Sequence, residues 1–176
     1  MRLRPARSMR YISSQAWARY SIKKPRKNYV KALPHTSLLV FNMGKDAGAF
    51  DTIATLSSNQ YVQIRSNALE AARQVANKHL ERELPGNYFM KVLTYPHSVV
   101  REKKMAMGAG ADRISKGMTL SFGKASMVAA RIKKNQNVFI VKVKADKTNV
   151  AKEALKRASS KLSGTYKINI ERKVAA

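Results

Sequence analysis

The sequence predicts an α+β domain, a mostly antiparallel sheet with two helices on one side. Three observations carry this. Apolar residues recur at helical spacing over 69–84 and 151–162, and runs of strand character bracket both stretches. Those runs alternate apolar and polar residues, so each offers one face to a core and one to solvent. The two strand–helix–strand units also echo each other. Gly86-Asn87-Tyr88 answers Gly164-Thr165-Tyr166, and Leu84 and Leu162 keep the same distance from those glycines. One-faced strands with helices gathered on one side make a two-layer sandwich. A chain of 176 residues, 44% of them apolar, is long enough to bury such a core as a single domain.

The elements follow in order. SLLVFNM (37–43) has the continuous apolar character of a buried strand, and Gly44 ends it. Residues 45–59 show no decisive period. YVQIR (61–65) alternates as a strand does. Ser66 or Asn67 then opens a helix, with Glu70 toward its positive end. Leu69, Ala72, Ala76, Leu80 and Leu84 form the apolar stripe, and Pro85-Gly86 stops it. YFMKVLTY (88–95) is a strand closed by Pro96. MVAARIK (127–133) and NVFIVKVK (137–144) read as neighbouring antiparallel strands joined by a turn at 134–136. A second helix begins near Thr148, with Ala151, Ala154, Leu155, Ala158 and Leu162 as its stripe. Ser163-Gly164 ends it, and TYKINIER (165–172) is the last strand.

Charge divides the chain more sharply than periodicity does. Thirty-five Lys and Arg against ten Asp and Glu give a net charge of +25. A chain so basic repels itself unless a polyanion offsets it, and nucleic acid is the leading candidate. Residues 1–31 hold ten of the cations and no acid. The other 25 cations outnumber the ten acids by 15. Pro5 and Pro25 interrupt the leading segment, and Tyr11, Trp17, Tyr20 and Tyr29 lie among its charges. Aromatics between cations suit stacking on bases. Residues 1–34 are therefore read as an extended RNA-binding arm, in preference to a solvated basic tail, and 35–176 as one α+β domain. Candidate contacts on the arm are Arg2, Arg4, Arg7, Arg10, Trp17, Arg19, Tyr20, Lys23, Lys24, Arg26 and Lys27. No apolar run is long enough to span a bilayer. The N-terminus lacks the apolar core of a secretory signal. The absence of cysteine excludes disulfides and thiolate metal sites.

Residues 96–126 make a long loop for a compact domain, and such loops are usually functional. It contains Gly108, Gly110, Gly117 and Gly123 among cations. A dinucleotide fingerprint fails, because Arg113 stands where the third glycine belongs and no apolar strand precedes it. A phosphate loop fails as well. Five residues rather than four separate Gly117 from Gly123-Lys124, and Ala125 stands where a metal-binding hydroxyl belongs. What survives is a backbone left bare so that amides can approach phosphates. Arg101, Lys103, Lys104, Arg113, Lys116 and Lys124 supply charge, and His97 at the loop's mouth is a candidate for phosphate or ribose. Glu102 and Asp112 are its two acids. His79, near the apolar edge of the first helix, reads as packed or surface rather than as a ligand. No carboxylate pair suits acid–base work, and no ligand cluster suits a metal. The expectation is no enzyme, no cofactor, no metal and no small-molecule substrate. Two rival classes remain: an RNA-modifying enzyme using the glycine stretch for a nucleotide or methyl donor, and a binder of duplex DNA.

YPHSVVREKKMAMGAGADRISKGM (95–118) strongly resembles the central loop of a universal large-subunit ribosomal protein family, called ten-e in archaea and eukaryotes and number sixteen in bacteria. QIRSNALEAAR (63–73) resembles its first helix, Arg4-Pro5-Ala6-Arg7 its N-terminal arm, and Phe41-Asn42-Met43-Gly44 its early strand. The version is similar to archaeal members over nearly the whole chain. Ser98, Asn42, Thr119, Ala125 and Met127 depart from the family's usual histidine, aspartate, arginine, proline and glycine. The resemblance implies a hammerhead-type α/β sandwich that binds ribosomal RNA near the base of the central protuberance, in the cytoplasmic ribosome. It implies a loop pointing toward the peptidyl-transferase region, a role in subunit assembly and in positioning tRNA at the aminoacyl site, and neighbouring ribosomal proteins as partners. It implies no catalysis, because the reaction centre is RNA.

Overall fold

A computed structural model describes residues 33–46, 50–102, 108, 110, 113 and 124–172. The strands are β1 (Asn42–Gly44), β2 (Thr52–Ser58), β3 (Val62–Arg65), β4 (Phe89–Val92), β5 (Ser98–Glu102), β6 (Lys124–Ile132), β7 (Asn137–Val143) and β8 (Tyr166–Arg172). The helices are α1 (Ser66–Glu83) and α2 (Thr148–Ser159), the latter entered through a short 3-10 turn at Ala145–Lys147. The α+β class stands. The single sheet does not. Five strands pair in the order β1-β4-β7-β2-β8, and β3-β6-β5 form a second sheet, with every pairing antiparallel.

The two sheets arise at the turn expected to join β6 and β7 as a hairpin. Those strands are not partners. Asn135 adopts a left-handed backbone, φ 62°, and the Gln136 side chain accepts the Lys133 N–H at 2.8 Å. The turn's backbone then bonds the end of β2. Asn135 N–H donates to Ser58 O at 2.7 Å, and Ser58 N–H donates to Gln136 O at 3.0 Å. Groups that a hairpin would return to β6 are taken by β2, so β7 continues between β2 and β4.

Both helices bury the expected stripes. Leu69, Ala72, Ala76 and Leu80 of α1 are inaccessible to solvent, as are Ala151, Ala154, Leu155 and Ala158 of α2. The helices pack on each other. α1 also meets β3 and β6, and α2 meets β2, β7 and β8. One apolar cluster therefore takes residues from both sheets, including Val62, Ile64, Ala130 and Ile132 from the smaller and Leu56, Met90, Phe139 and Val141 from the larger. Burial on this scale is the main driving force for the fold. Two sequence expectations change. The run at 37–43 is strand only from Asn42 onward; Leu38 is buried while Leu39 and Val40 are exposed. The undecided stretch at 45–59 contains β2, a strand between two neighbours. Its Thr52, Thr55, Ser57 and Ser58 are buried, and this polarity masks the strand pattern.

The echo between the units is physical. Each helix is followed by a glycine in the left-handed region, Gly86 at φ 73° and Gly164 at φ 99°, where residues with a Cβ are disfavoured. Leu84 and Leu162 are buried just before them. Tyr88 donates to Asn77 Oδ1 at 2.8 Å, and Tyr166 donates to Ser163 O at 2.7 Å. Burial pushes both phenols above their ordinary range. The units differ in reach: β3 and β4 belong to different sheets, whereas β7 and β8 flank β2 in the larger one.

Gly164→Ala is expected to destabilise the protein more than Gly86→Ala in urea denaturation. Both incur backbone strain of about 1–2 kcal/mol. Only at Gly164 would the added Cβ also lie 2.9 Å from Gln60 Nε2 and 3.2 Å from Val62 Cγ2; at Gly86 it meets nothing within 4 Å.

Candidate nucleic-acid interface

Strand pairing narrows the excursion read as a loop over 96–126. β5 and β6 pair from Ser98 with Ala129 to Glu102 with Lys124, leaving residues 103–123 between the strand ends. The ladder shifts by one residue after Val100, so Ser126 has no opposite number on β5. Ser126 Oγ donates to Val100 O at 3.2 Å. An extra residue of this kind bends a strand and strengthens its twist, here within the last pairs before residues 103–123. Ala125 and Met127, the departures noted in the sequence, flank this bulge. Arg101 opposes Ala125, one pair before the end of the ladder.

The predicted contacts are placed unevenly. Within the excursion, Gly108 and Gly110 have positive φ, 133° and 82°. Among the described residues a Cβ on either would meet nothing within 4 Å, and the backbone conformation itself favours glycine. Arg113 N–H donates to Gly110 O at 3.1 Å, closing a turn, and Arg113 is exposed. This puts a cation beside open backbone, an arrangement that suits phosphate. Lys103, Lys104 and Lys116 lie outside the described residues. So do Arg2, Arg4, Arg7, Arg10, Trp17, Arg19, Tyr20, Lys23, Lys24, Arg26 and Lys27 of the expected arm. Arg101 and Lys124 are fixed as backbone positions on β5 and β6.

His97 is held at the start of β5, the end of the β5–β6 ladder opposite the excursion. Its N–H donates to Ala129 O at 3.1 Å, and its Nδ1 lies 3.0 Å from Tyr95 O. A carbonyl can only accept, so this contact selects the Nδ1–H form and leaves Nε2 as the acceptor of the neutral ring. His79 is packed, as expected. It is buried on α1, with Nε2 3.7 Å from Glu153 of α2. Two features were missed in the sequence. Lys133 and Lys134 form an exposed basic corner between the sheets with no acidic partner among the described residues. Tyr95 stands exposed immediately before Pro96-His97; its signal was an aromatic residue at the mouth of a cationic loop.

Several acids are engaged by neighbours in the domain. Glu70 binds Arg73 at 2.9 Å and Gln74 at 2.9 Å, rather than serving the helix N-terminus. Asp46 binds Lys142 at 2.7 Å, and Glu153 binds Arg157. The Arg73 hydrogen bond holds the Glu70 carboxyl below its ordinary range, against the opposing effect of burial. Among the described residues no three His, Asp or Glu gather as a metal site requires, and no helix is long and apolar enough to cross a membrane.

Fold and charge together define a basic α+β protein with a glycine-rich, cationic segment between two paired strands. The profile of ribosomal protein L16p/L10e matches residues 17–169. Relatives named large ribosomal subunit protein uL16 match over most of their length. That of Archaeoglobus fulgidus is 43% identical over 90% of this chain and 92% of its own. That of Sulfolobus acidocaldarius is 43% identical over 97% and 94%, and that of Thermofilum pendens 41% over 97% and 98%. The chain belongs to the ribosomal protein L16p/L10e family.

The Glu70 pair gives a pH-dependent prediction. Because the folded-state carboxyl is depressed, its contribution to stability is present above the ordinary glutamate value of 4.5. It is lost as the pH falls through the lower folded value. Glu70→Gln should therefore be less stable than the native chain at pH 7, and the difference should shrink as both are acidified from pH 5, read as thermal midpoints.

Proposed function

We propose that ribosomal RNA holds this chain through two basic segments, the arm at 1–34 and the excursion at 103–123, while the folded domain fixes where each departs. As a member of its family the chain is a structural component of the large ribosomal subunit and not an enzyme, and it works in the cytoplasmic ribosome. It associates there with ribosomal RNA and other ribosomal proteins. The reading of the glycine stretch as a nucleotide or methyl-donor site of a modifying enzyme is thereby set aside. The observation that carries the proposal is the β5–β6 base. Its ends at Glu102 and Lys124 bracket a segment that holds positive-φ backbone at Gly108 and Gly110 and the exposed cation Arg113.

The finer placement belongs to the same proposal. The resemblance of residues 95–118 supports a position near the base of the central protuberance, with the excursion directed toward the peptidyl-transferase region and helping to position tRNA at the aminoacyl site. Phosphate contacts would supply most of the affinity, and shape and unpaired bases the selectivity.

Filter binding of the full chain to a large-subunit RNA fragment tests this. A surface that meets six to ten phosphates should lose affinity by about three to five orders of magnitude between 50 and 200 mM salt. Arg113→Ala should weaken binding and reduce the salt slope by about one. Affinity unchanged across that salt range would overturn the proposal.

A further inference from the structure

We infer that Tyr95, backed by Phe41, is a stacking platform for an unpaired nucleobase of RNA. The inference rests on the RNA-binding reading above and adds to it a site of different chemistry, apolar and aromatic rather than cationic. Phe41 and Tyr95 stack with ring centroids 5.8 Å apart and planes inclined by 24°. Phe41 is half-buried and packs against the main core. Tyr95 is 61% exposed. One face of the tyrosine ring therefore rests on an anchored neighbour, and solvent reaches much of the remainder.

The backbone beneath both rings is pinned. Val92 N–H donates to Phe41 O at 2.8 Å, and Leu93 N–H donates to Val138 O at 2.9 Å, tying the near side to the five-stranded sheet. His97 N–H donates to Ala129 O at 3.1 Å, tying the far side to the three-stranded sheet. The His97 ring contact to Tyr95 O closes the segment between these anchors. Tyr95 thus stands where the chain crosses from one sheet to the other, with Pro96 restricting the residue before it. A ring held in this way loses little conformational freedom when a ligand covers it, which favours binding.

The folded core gives Tyr95 no reason to be exposed. A tyrosine buries a large apolar area when it packs inward, as Tyr88 does in this chain. Leu39 and Leu93, each two residues from a member of the Phe41–Tyr95 pair, are also exposed, at 68% and 43%. Charge decides the class of occupant. A chain at +25 draws a polyanion, and the apolar part of a polyanion able to cover an aromatic face is a base. Every base has a π face, so the site need not select sequence. It does require a nucleotide free of its own stack.

The test uses the full chain with a single-stranded dodeca-uridylate carrying one 2-aminopurine, whose fluorescence falls when it stacks. The native chain should quench the probe. Tyr95→Phe should bind as the native chain does. Tyr95→Ala and Tyr95→Leu should each bind about tenfold more weakly with less quenching, while the salt slope stays constant because no phosphate contact is lost. Thermal unfolding confirms that the variants fold, as expected for an exposed side chain. Salt-dependent binding with native quenching in both Tyr95→Ala and Tyr95→Leu would overturn the platform and leave the RNA-binding reading intact. Native affinity in Tyr95→Leu alone would also overturn it, showing that apolar area rather than an aromatic face is required. No binding by the native chain would overturn both.

Discussion

Everything the excursion can do depends on β6 having two partners. Toward the domain it pairs with β3, whose Val62 and Ile64 are sealed in the common core. Toward the excursion it pairs with β5, with the bulge at Ser126 within the last pairs. A hairpin attached by one strand alone would pivot. Here the hydrogen-bond ladder runs from the core strand β3 through β6 to Lys124 and Glu102, so both ends of a long and highly charged segment are held in one sheet.

The helices and their stripes were legible because each has a strong period and an unambiguous stop. The smaller features failed for identifiable reasons. β2 is hidden because its buried side chains include Thr52, Thr55, Ser57 and Ser58, which satisfy sheet geometry without an apolar signature. The division into two sheets is hidden because β6 and β7 have the spacing of a hairpin. What separates them is a set of bonds between Ser58 and the Asn135–Gln136 turn, residues far apart in sequence. The core cluster could be listed from periodicity, but not which sheet each residue belongs to. In the candidate interface, cations were legible from composition alone. Tyr95 was read as a strand residue, since nothing local shows that its ring turns onto Phe41 instead of into the core.

Acids and cations are also divided by task. Glu70, Asp46 and Glu153 each engage a basic neighbour in the folded domain, and surface pairs of this kind contribute modestly to stability. Their larger effect here is on where negative charge lies. It is placed on helices and sheet surfaces, while the corner at Lys133 and Lys134 is left without an acid among the described residues. An apolar core that needs no help from a ligand and a surface that needs one can thus coexist in a single small chain.

β8 has a further consequence. Among the described residues it is the last strand of the larger sheet and pairs on one side, with β2; a strand border of this kind can recruit a second copy through its peptide groups. Lys167, Glu171 and Arg172 are exposed along this strand, and charged side chains on a free border discourage such recruitment. A net charge of +25 adds like-charge repulsion between copies, so border and overall charge both work against strand-to-strand association.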